Sequence, residues 1–182
     1  MPFPSITTER LHLRRPYEGD TEGFADLLSD PTCYPYISDS GPVAAEAVPD
    51  RITRFATGYD SGSSIHWVLE DRSNGAFVGY VAVHEPRKVP SYLSYGICKS
   101  FRRRGFAREA LLGLCANATM IGCVSFVAHT HLENTASREL LLDIGFREIG
   151  CVSTAAGDRV EYRWEGESPR ARAVRQSKAS GR

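Results

Sequence analysis

The sequence has no apolar run long enough to cross a bilayer, and its first residues lack the apolar core that a secretion signal requires. Its five cysteines form no C-x-x-C pair, so neither a disulfide framework nor a zinc knuckle is expected. Internal repeats are missing as well, and 22 basic residues balance 22 acidic ones. These absences predict a cytoplasmic protein with reduced thiols, no bound metal and no membrane association.

The length of 182 residues and the 42% share of hydrophobic residues fit one globular domain. Five of the 22 basic residues fall in 168–182, which leaves 17 basic against 22 acidic residues in 1–167. The C-terminal segment contains one strong apolar residue, Val174, so burial cannot offset the entropy of ordering it. We therefore predict a single domain over 1–167 and a disordered basic tail over 168–182. Nucleic acid is not expected to bind except through this tail, because the body is acidic.

Hydrophobic spacing in the first half alternates between strand and helix patterns. "ERLHLRRP" predicts a strand, and "GDTEGFADLLSDP" predicts a helix capped by Asp20 or Thr21. After a loop over 31–42, "AAEAVPDRITRFATGY" predicts a second helix that Pro49 either starts or kinks. "SIHWVLEDRSNGAFVGYVAVHEP" predicts a hairpin that turns at 73–75.

The second half continues the mixed pattern. "SYLSYGICK" and "CVSFVAHTH" predict strands on either side of a helix in "AREALLGLCANATMIG". A short helix from Asn134 to about Ile144, closed by Gly145, precedes a last strand pair in "FREIGCVST" and "DRVEYRWEG". The fold class is therefore α/β or α+β, with a mostly antiparallel sheet and helices on its faces.

The segment "FRRRGFAREA" lies where the pattern changes from strand to helix. Backbone N–H groups of 103–107 would then stand at a helix N-terminus, where free donors and the helix dipole favour an anion. Gly105 permits a close backbone approach. Four side chains are available for charge-assisted bonds: Arg102, Arg103, Arg104 and Arg108. The alternative is a solvated charge run with no ligand.

Three motifs in order resemble one family. "RRRGFA" is similar to the Arg/Gln-x-x-Gly-x-Gly/Ala signature of the GNAT acyltransferases, at Arg102, Gly105 and Ala107. "NTASRELLLDIGF" is similar to the second GNAT motif, at Asn134, Ser137, Leu141, Gly145 and Phe146. "TERLHLRRP" resembles the opening of the RimJ/RimL-like subgroup, which acetylates the N-termini of ribosomal proteins. The resemblance covers about residues 7–165.

This resemblance implies a GNAT-like fold, with helices on both faces of a mixed sheet whose middle strands splay apart. It also implies acetyl-CoA as cosubstrate and no metal. The pyrophosphate would lie on the loop and helix start at Arg102, Arg103, Arg104, Gly105, Phe106, Ala107 and Arg108. "SYGICK", with Ile97 and Cys98, and "FVAHTH" would hold the pantetheine arm between them. Asn134 would contact that arm or the adjacent backbone.

The implied reaction transfers an acetyl group to an amine. By resemblance to the subgroup, Ser137 is the proton donor to the departing thiolate, although a hydrogen bond at the helix start would explain a serine there equally well. Relatives commonly carry a glutamate where this sequence has Tyr92, so the usual base is missing. His84 and Glu85 end the preceding strand and are the candidate replacements. A base acting through water, or no dedicated base, stays open.

The acceptor amine is the least determined part of the expectation. An α-amine is about 14% neutral at pH 7 and a lysine amine only about 0.04%, so an N-terminal acceptor needs less help from a base. An N-terminal α-amine of a protein or peptide is therefore the first candidate. A small-molecule amine, such as an antibiotic or metabolite, is the second, and a non-catalytic acyl-CoA sensor is the third. A homodimer is also left open.

Overall fold

The computed structural model describes residues 2–37, 41–154 and 157–166. Its centre is an eight-stranded sheet in the order β1-β2-β3-β4-β5-β6-β8-β7. The strands are β1 (Ile6–Thr7), β2 (Leu11–Arg14), β3 (Ser64–Asp71), β4 (Phe77–His84), β5 (Ser91–Ile97), β6 (Ser125–His131), β7 (Arg147–Thr154) and β8 (Gly157–Glu165). Neighbouring strands are antiparallel except β5 and β6, which are parallel. The mixed, mostly antiparallel sheet predicted from the sequence is confirmed.

Five α-helices accompany the sheet in the described residues. They are α1 (Thr21–Ser29), α2 (Tyr34–Ile37), α3 (Val48–Ser61), α4 (Phe106–Ala116) and α5 (Thr135–Asp143). α1 and α3 pack on one face through Phe24 and Ile52, which share an apolar cluster with Tyr80 of β4. α4 and α5 pack on the other face through Leu111 and Leu141. None of these helices is both long and apolar enough to cross a membrane.

The larger apolar cluster lies between the sheet and α4 and α5. Trp67 of β3 and Phe126 of β6 are fully buried in it, and the Trp67 indole N–H donates to the Pro4 carbonyl at 2.7 Å. Removing a large apolar side chain from water contributes roughly 1.5–3 kcal/mol. The strands are therefore held from both faces, and the inner strands β3 and β4 are buried along most of their length.

The middle of the sheet opens between β5 and β6. These two strands pair only at Ser91 with Phe126 and at Tyr92 with Val127. From Leu93 onward β5 pairs with β4 alone, while β6 remains paired with β8 along its whole length. The two strands therefore part toward the end of β5 that leads into the arginines, which is the splaying that the family resemblance implied.

Local details differ from the sequence expectations at two helices. Asp20 occupies the N-cap position of α1, but its carboxylate binds Arg14 and the Tyr17 N–H instead of capping the helix. A charged guanidinium is a stronger partner for the buried carboxylate than the helix amides, so the cap bond is lost. The short helix α2 lies inside the stretch predicted as loop. Pro49 stands in the first turn of α3 and starts the helix without kinking it.

The predicted disordered tail, 168–182, lies outside the described residues.

Candidate active site

The arginine loop, residues 102–105, connects β5 to α4. Arg103 and Gly105 both have positive φ, at 61° and 79°, so the chain turns sharply just before the helix begins. Glu109 N–H bonds back to the Gly105 carbonyl, and it is the first amide of α4 to do so. Within the described residues, the N–H groups of 103–108 donate no hydrogen bond. Six free amides at the positive end of a helix dipole form a site suited to an anion.

Arg102 fixes the start of this loop from inside the protein. Its guanidinium donates to the Ile97 carbonyl at 2.9 Å, to Thr32 Oγ1 at 2.6 Å and to Asp30 Oδ2 at 2.5 Å. These bonds join the end of β5 to the segment after α1. The Arg102 guanidinium is thus bound to other groups of the protein. Its contribution to an anion site is to hold the loop in this conformation.

The other arginines of the run have different environments. Arg104 lies over the Phe101 and Phe106 rings, with its guanidinium carbon 5.4 and 5.2 Å from their centres. Arg108 forms an exposed ion pair with Asp143 of α5 at 2.6 Å. Arg103 is exposed, and no ion pair joins it to a described residue. It is the arginine of the run whose guanidinium is least engaged by the protein.

The "TER" opening supports the loop from a second side, which the sequence did not reveal. Arg10 Nε lies 2.6 Å from Glu109 Oε2, and Thr8 Oγ1 donates to Glu109 Oε1 at 2.6 Å. Arg10 also donates to the Arg104 carbonyl at 2.9 Å. The subgroup-like opening therefore anchors the first turn of α4. One local indication of this contact was present in the sequence, an acidic residue, Glu109, in the first turn of the helix that follows the arginine run.

Ser137 stands in the first turn of α5, opposite β5. Its N–H donates to Asn134 Oδ1 at 3.2 Å, so Asn134 caps the helix. Its hydroxyl lies 2.7 Å from the Tyr95 hydroxyl, across the opening between β5 and the elements that follow β6. Burial raises the pKa of Tyr95 to about 12, so its hydroxyl stays protonated at neutral pH. Tyr95 was not singled out from the sequence, because its partner is 42 residues away.

A second feature is a cleft of about 590 Å³ on the α1 and α3 face of the sheet. We call it the histidine cleft. His84 Nε2 lies 2.9 Å from Ser94 Oγ, and the His66 ring stands 5.2 Å from the His84 ring, nearly perpendicular to it. Its described lining comprises Leu28, Ile37, Arg51, Arg54, Phe55, Thr57, Gly58, Ser61, Ser63, Ser64, His66, Tyr80, His84 and Ser94.

Both histidines of the cleft are neutral at physiological pH. Burial, with a smaller effect of the neighbouring His84, lowers the pKa of His66 to about 3. Burial also lowers the pKa of His84 below its ordinary value. The His66 ring stacks on Phe55 with centres 4.1 Å apart. A neutral imidazole can accept a proton, and His84 is the one of the two that a serine hydroxyl orients.

The remaining predicted site residues lie elsewhere. Glu85 has a φ of 51° and pairs with Lys88, and it does not line the histidine cleft. Tyr92 is 43% exposed, and its ring lies 5.6 Å from that of His129. His129 in turn lies 3.3 Å from Glu161. Within the described residues, no group of three side chains is placed to hold a metal.

The strand end before the arginine loop holds the last two predicted residues. Ile97 gives its carbonyl to Arg102, and the Cys98 N–H donates to the Val78 carbonyl. Burial raises the pKa of Cys98 to about 12. All five cysteines are free. Cys98 is thus an unreactive thiol in this structure.

The domain model for the GNAT acetyltransferases matches residues 10–147, about three quarters of the chain. The chain therefore belongs to the GNAT acetyltransferase family. Members transfer an acetyl group from acetyl-CoA, so the protein is an acetyl-CoA-dependent N-acetyltransferase with an amine as acceptor. No curated protein sequence matches it.

Solved structures share the fold at low identity. RimJ from Mycobacterium smegmatis, in complex with a CoA disulfide, is 21% identical, with a TM-score of 0.79 over 97% of this chain and 95% of its own. An acetyltransferase from Salmonella typhimurium that modifies the N-terminal serine of a 50S ribosomal subunit protein is 18% identical, with a TM-score of 0.78 over 90% and 100%. A putative ribosomal-protein-serine acetyltransferase from Vibrio cholerae is 18% identical, with a TM-score of 0.77 over 91% and 99%.

Proposed function

We propose that the protein acetylates the N-terminal α-amine of a protein or peptide. The observation that carries the proposal is the histidine cleft, whose described lining contains no carboxylate and two neutral histidines. Such a cleft provides only a weak base. A weak base suffices for an α-amine, which is already about 14% neutral at pH 7, and not for a lysine amine. The Salmonella acetyltransferase, which modifies the N-terminal serine of a ribosomal protein, supports the same acceptor class and a cytoplasmic setting.

The described residues fit the cosubstrate. The free amides of 103–108 suit a pyrophosphate, and the exposed Arg103 adds a cation beside them. Beyond Tyr92 the facing edges of β5 and β6 form no ladder with each other, so backbone groups remain for the amides of a pantetheine arm. We assign binding of acetyl-CoA to these two features, with Asn134 shaping the start of α5 beside them.

Acetyl-CoA supplies the thioester that is cleaved. The amine nitrogen forms the new bond to the acetyl carbon, the carbon–sulfur bond breaks, and the sulfur leaves as a thiolate. Ser137, bonded to Tyr95, donates the proton that converts the thiolate to a thiol. Tyr95 then passes its proton to the serine, and a proton from solvent restores the tyrosine. His84, held by Ser94, takes the proton that the amine loses. The products are an N-acetyl amine and free CoA.

A turnover screen tests the proposal. Acetyl-CoA is offered with a panel of Ala- and Ser-initiated peptides and with a library of small amines, and free thiol is measured. We expect peptide turnover that stops when the peptide N-terminus is blocked and persists when its lysines are blocked. Turnover of small amines alone would replace this proposal by the second candidate. Binding of CoA without any turnover would identify a sensor.

A further inference from the structure

One wall of the histidine cleft carries two arginines of α3. Arg51, Arg54 and Phe55 all line the cleft, and Gly58 follows one turn later. Residues three and four apart share one face of a helix, so this face of α3 is turned toward the cleft. Arg51 is half-buried and Arg54 is exposed. Neither forms an ion pair with a described residue.

Two like charges one turn apart on a helix repel each other unless something between them compensates. Asp50 precedes Arg54 by four residues, the spacing at which a helical ion pair forms, yet no such pair joins them in the described structure. The described lining of the cleft contains no carboxylate. No described residue forms an ion pair with either arginine, so the two arginines give the cleft a positive potential.

A second, independent observation comes from the floor of the same cleft. His66 is 4% exposed, and its Nδ1 atom is buried without a hydrogen-bond partner among the described residues. A buried polar atom without a partner is costly, and in native proteins it marks a place where a ligand or water completes the bond. Among the described residues, the cleft thus contains two cations without an ion pair and one buried nitrogen without a hydrogen bond.

From these observations we infer that the histidine cleft selects acceptors that carry a carboxylate close to the amine, with Arg51 and Arg54 as the residues that recognise it. For the N-terminal acceptor proposed above, on which this inference rests, the carboxylate is an Asp or Glu side chain within the first few residues. The arginines bind that carboxylate through charge-assisted hydrogen bonds. The α-amine then binds near His84 and Ser94, which line the same cleft.

The same chemistry has another possible source, since CoA itself carries phosphates. The free amides of 103–108 form a separate anion site on the α4 side of the sheet, whereas Arg51 and Arg54 lie on the α3 side. An acceptor carboxylate and a cosubstrate phosphate make different predictions for binding. The first makes the arginines matter for the peptide alone, and the second makes them matter for CoA.

Calorimetry on the CoA-loaded full-length protein separates these cases without requiring turnover. Two peptides with the same N-terminal residue are compared. One carries Asp or Glu at positions two to four, and the other carries Asn or Gln at the same positions. We expect the acidic peptide to bind at least tenfold more tightly. Arg51→Gln and Arg54→Gln are each expected to weaken the acidic peptide roughly three- to tenfold and to leave the amide peptide unchanged. Arg147→Gln, an exposed arginine of β7, removes the same charge far from the cleft and is the control.

Each outcome decides the inference. Equal affinity for the two peptides, or no binding of either, overturns it. If the arginine variants bind CoA more weakly and keep their peptide selectivity, the arginines bind the cosubstrate, and the inference is also overturned. Selective binding of the acidic peptide without turnover supports the inference while the proposed activity fails, so the two claims are tested separately.

Discussion

Ser137 and Tyr95 form a hydroxyl pair, and this contact gives Ser137 a partner that its position in the sequence did not predict. Without Tyr95, Ser137 would be explained as a structural residue of the helix start, because its N–H completes the cap made by Asn134. The 2.7 Å contact with Tyr95 places a second hydroxyl, protonated at neutral pH, next to the first. A serine that loses a proton beside such a group can regain one at once, which is what a proton donor in repeated turnovers needs.

Ser137→Ala is expected to lower kcat by about a hundred- to ten-thousandfold with little change in acetyl-CoA affinity. Tyr95→Phe removes the same hydrogen bond from its other end and keeps the serine, so it is the matched control and is expected to lower kcat far less. Steady-state kinetics with an identified acceptor measures both. Ser137→Ala leaves the buried Tyr95 hydroxyl without a partner and is expected to cost about 1–3 kcal/mol of stability. Equal kinetic losses in the two variants would show that the serine acts only through the tyrosine.

At the scale of elements, α4 is the part of the fold on which the proposed acetyl-CoA site depends. Its first turn is held by Arg10 and Thr8 through Glu109, and its other side packs through Phe106 and Leu111. The helix start is therefore anchored by an ion pair on one side and by the core on the other. The loop that precedes it has few conformations left, so its amides are in place before a ligand arrives, which spares the cost of ordering them on binding.

Gly105→Val tests the role of this helix start. A valine at a φ of 79° is strained, and a residue in such a conformation costs about 1–3 kcal/mol. Gly122 has the same φ of 79° and open space around it, so Gly122→Val carries the same strain away from the arginine loop. We expect both variants to lose similar stability and only Gly105→Val to bind CoA at least tenfold more weakly by calorimetry. Parental CoA affinity in Gly105→Val would show that the amides of α4 do not form the anion site.

At the scale of the whole molecule, the buried histidines link stability to pH. His66 titrates near 6.5 in the unfolded chain and at about 3 in the folded one. Between these values the unfolded chain binds a proton that the folded protein does not, so stability falls as the pH falls. His84 contributes in the same direction, since burial lowers its pKa as well. This dependence fades above pH 6.5, as the histidines of the unfolded chain also become neutral.

We expect the free energy of unfolding to fall between pH 6.5 and 5 by up to about 1.4 kcal/mol per pH unit for His66. The window stops at pH 5 because the carboxylates begin to titrate below it. Urea unfolding at pH 7.5, 6.5, 5.5 and 5 measures the slope. His66→Leu removes one titrating group and is expected to reduce the slope, whatever its effect on stability at pH 7.5, while His84 keeps a smaller dependence of the same sign. An unchanged slope in this variant would mean that His66 is protonated in the folded protein.

The sequence by itself determined the features whose causes are local. Strand and helix patterns follow from the spacing of apolar residues, so the order of the main elements was predicted, as was the sharp turn at Gly105. The cap that joins Asn134 to Ser137 spans only three residues, so its cause is local as well, although the sequence pattern predicted only a contact of Asn134 with the pantetheine arm or adjacent backbone. The GNAT motifs are local too, and they led to the family that the domain comparison confirms.

Only the tertiary structure decided which distant residues meet. Arg102 forms an ion pair with Asp30, and the Tyr95 hydroxyl is hydrogen-bonded to Ser137. Glu109 forms an ion pair with Arg10, which lies 99 positions earlier in the sequence. The side of the sheet on which α3 lies brings its arginines to the same cleft as the histidines of β3 and β4. Such contacts depend on how strands are ordered and helices packed, which local propensity does not encode. The strands, helices and motifs that build the proposed site were therefore predictable from the sequence. The ion pairs of its arginines and the burial of its histidines depend on contacts that form only when the chain folds.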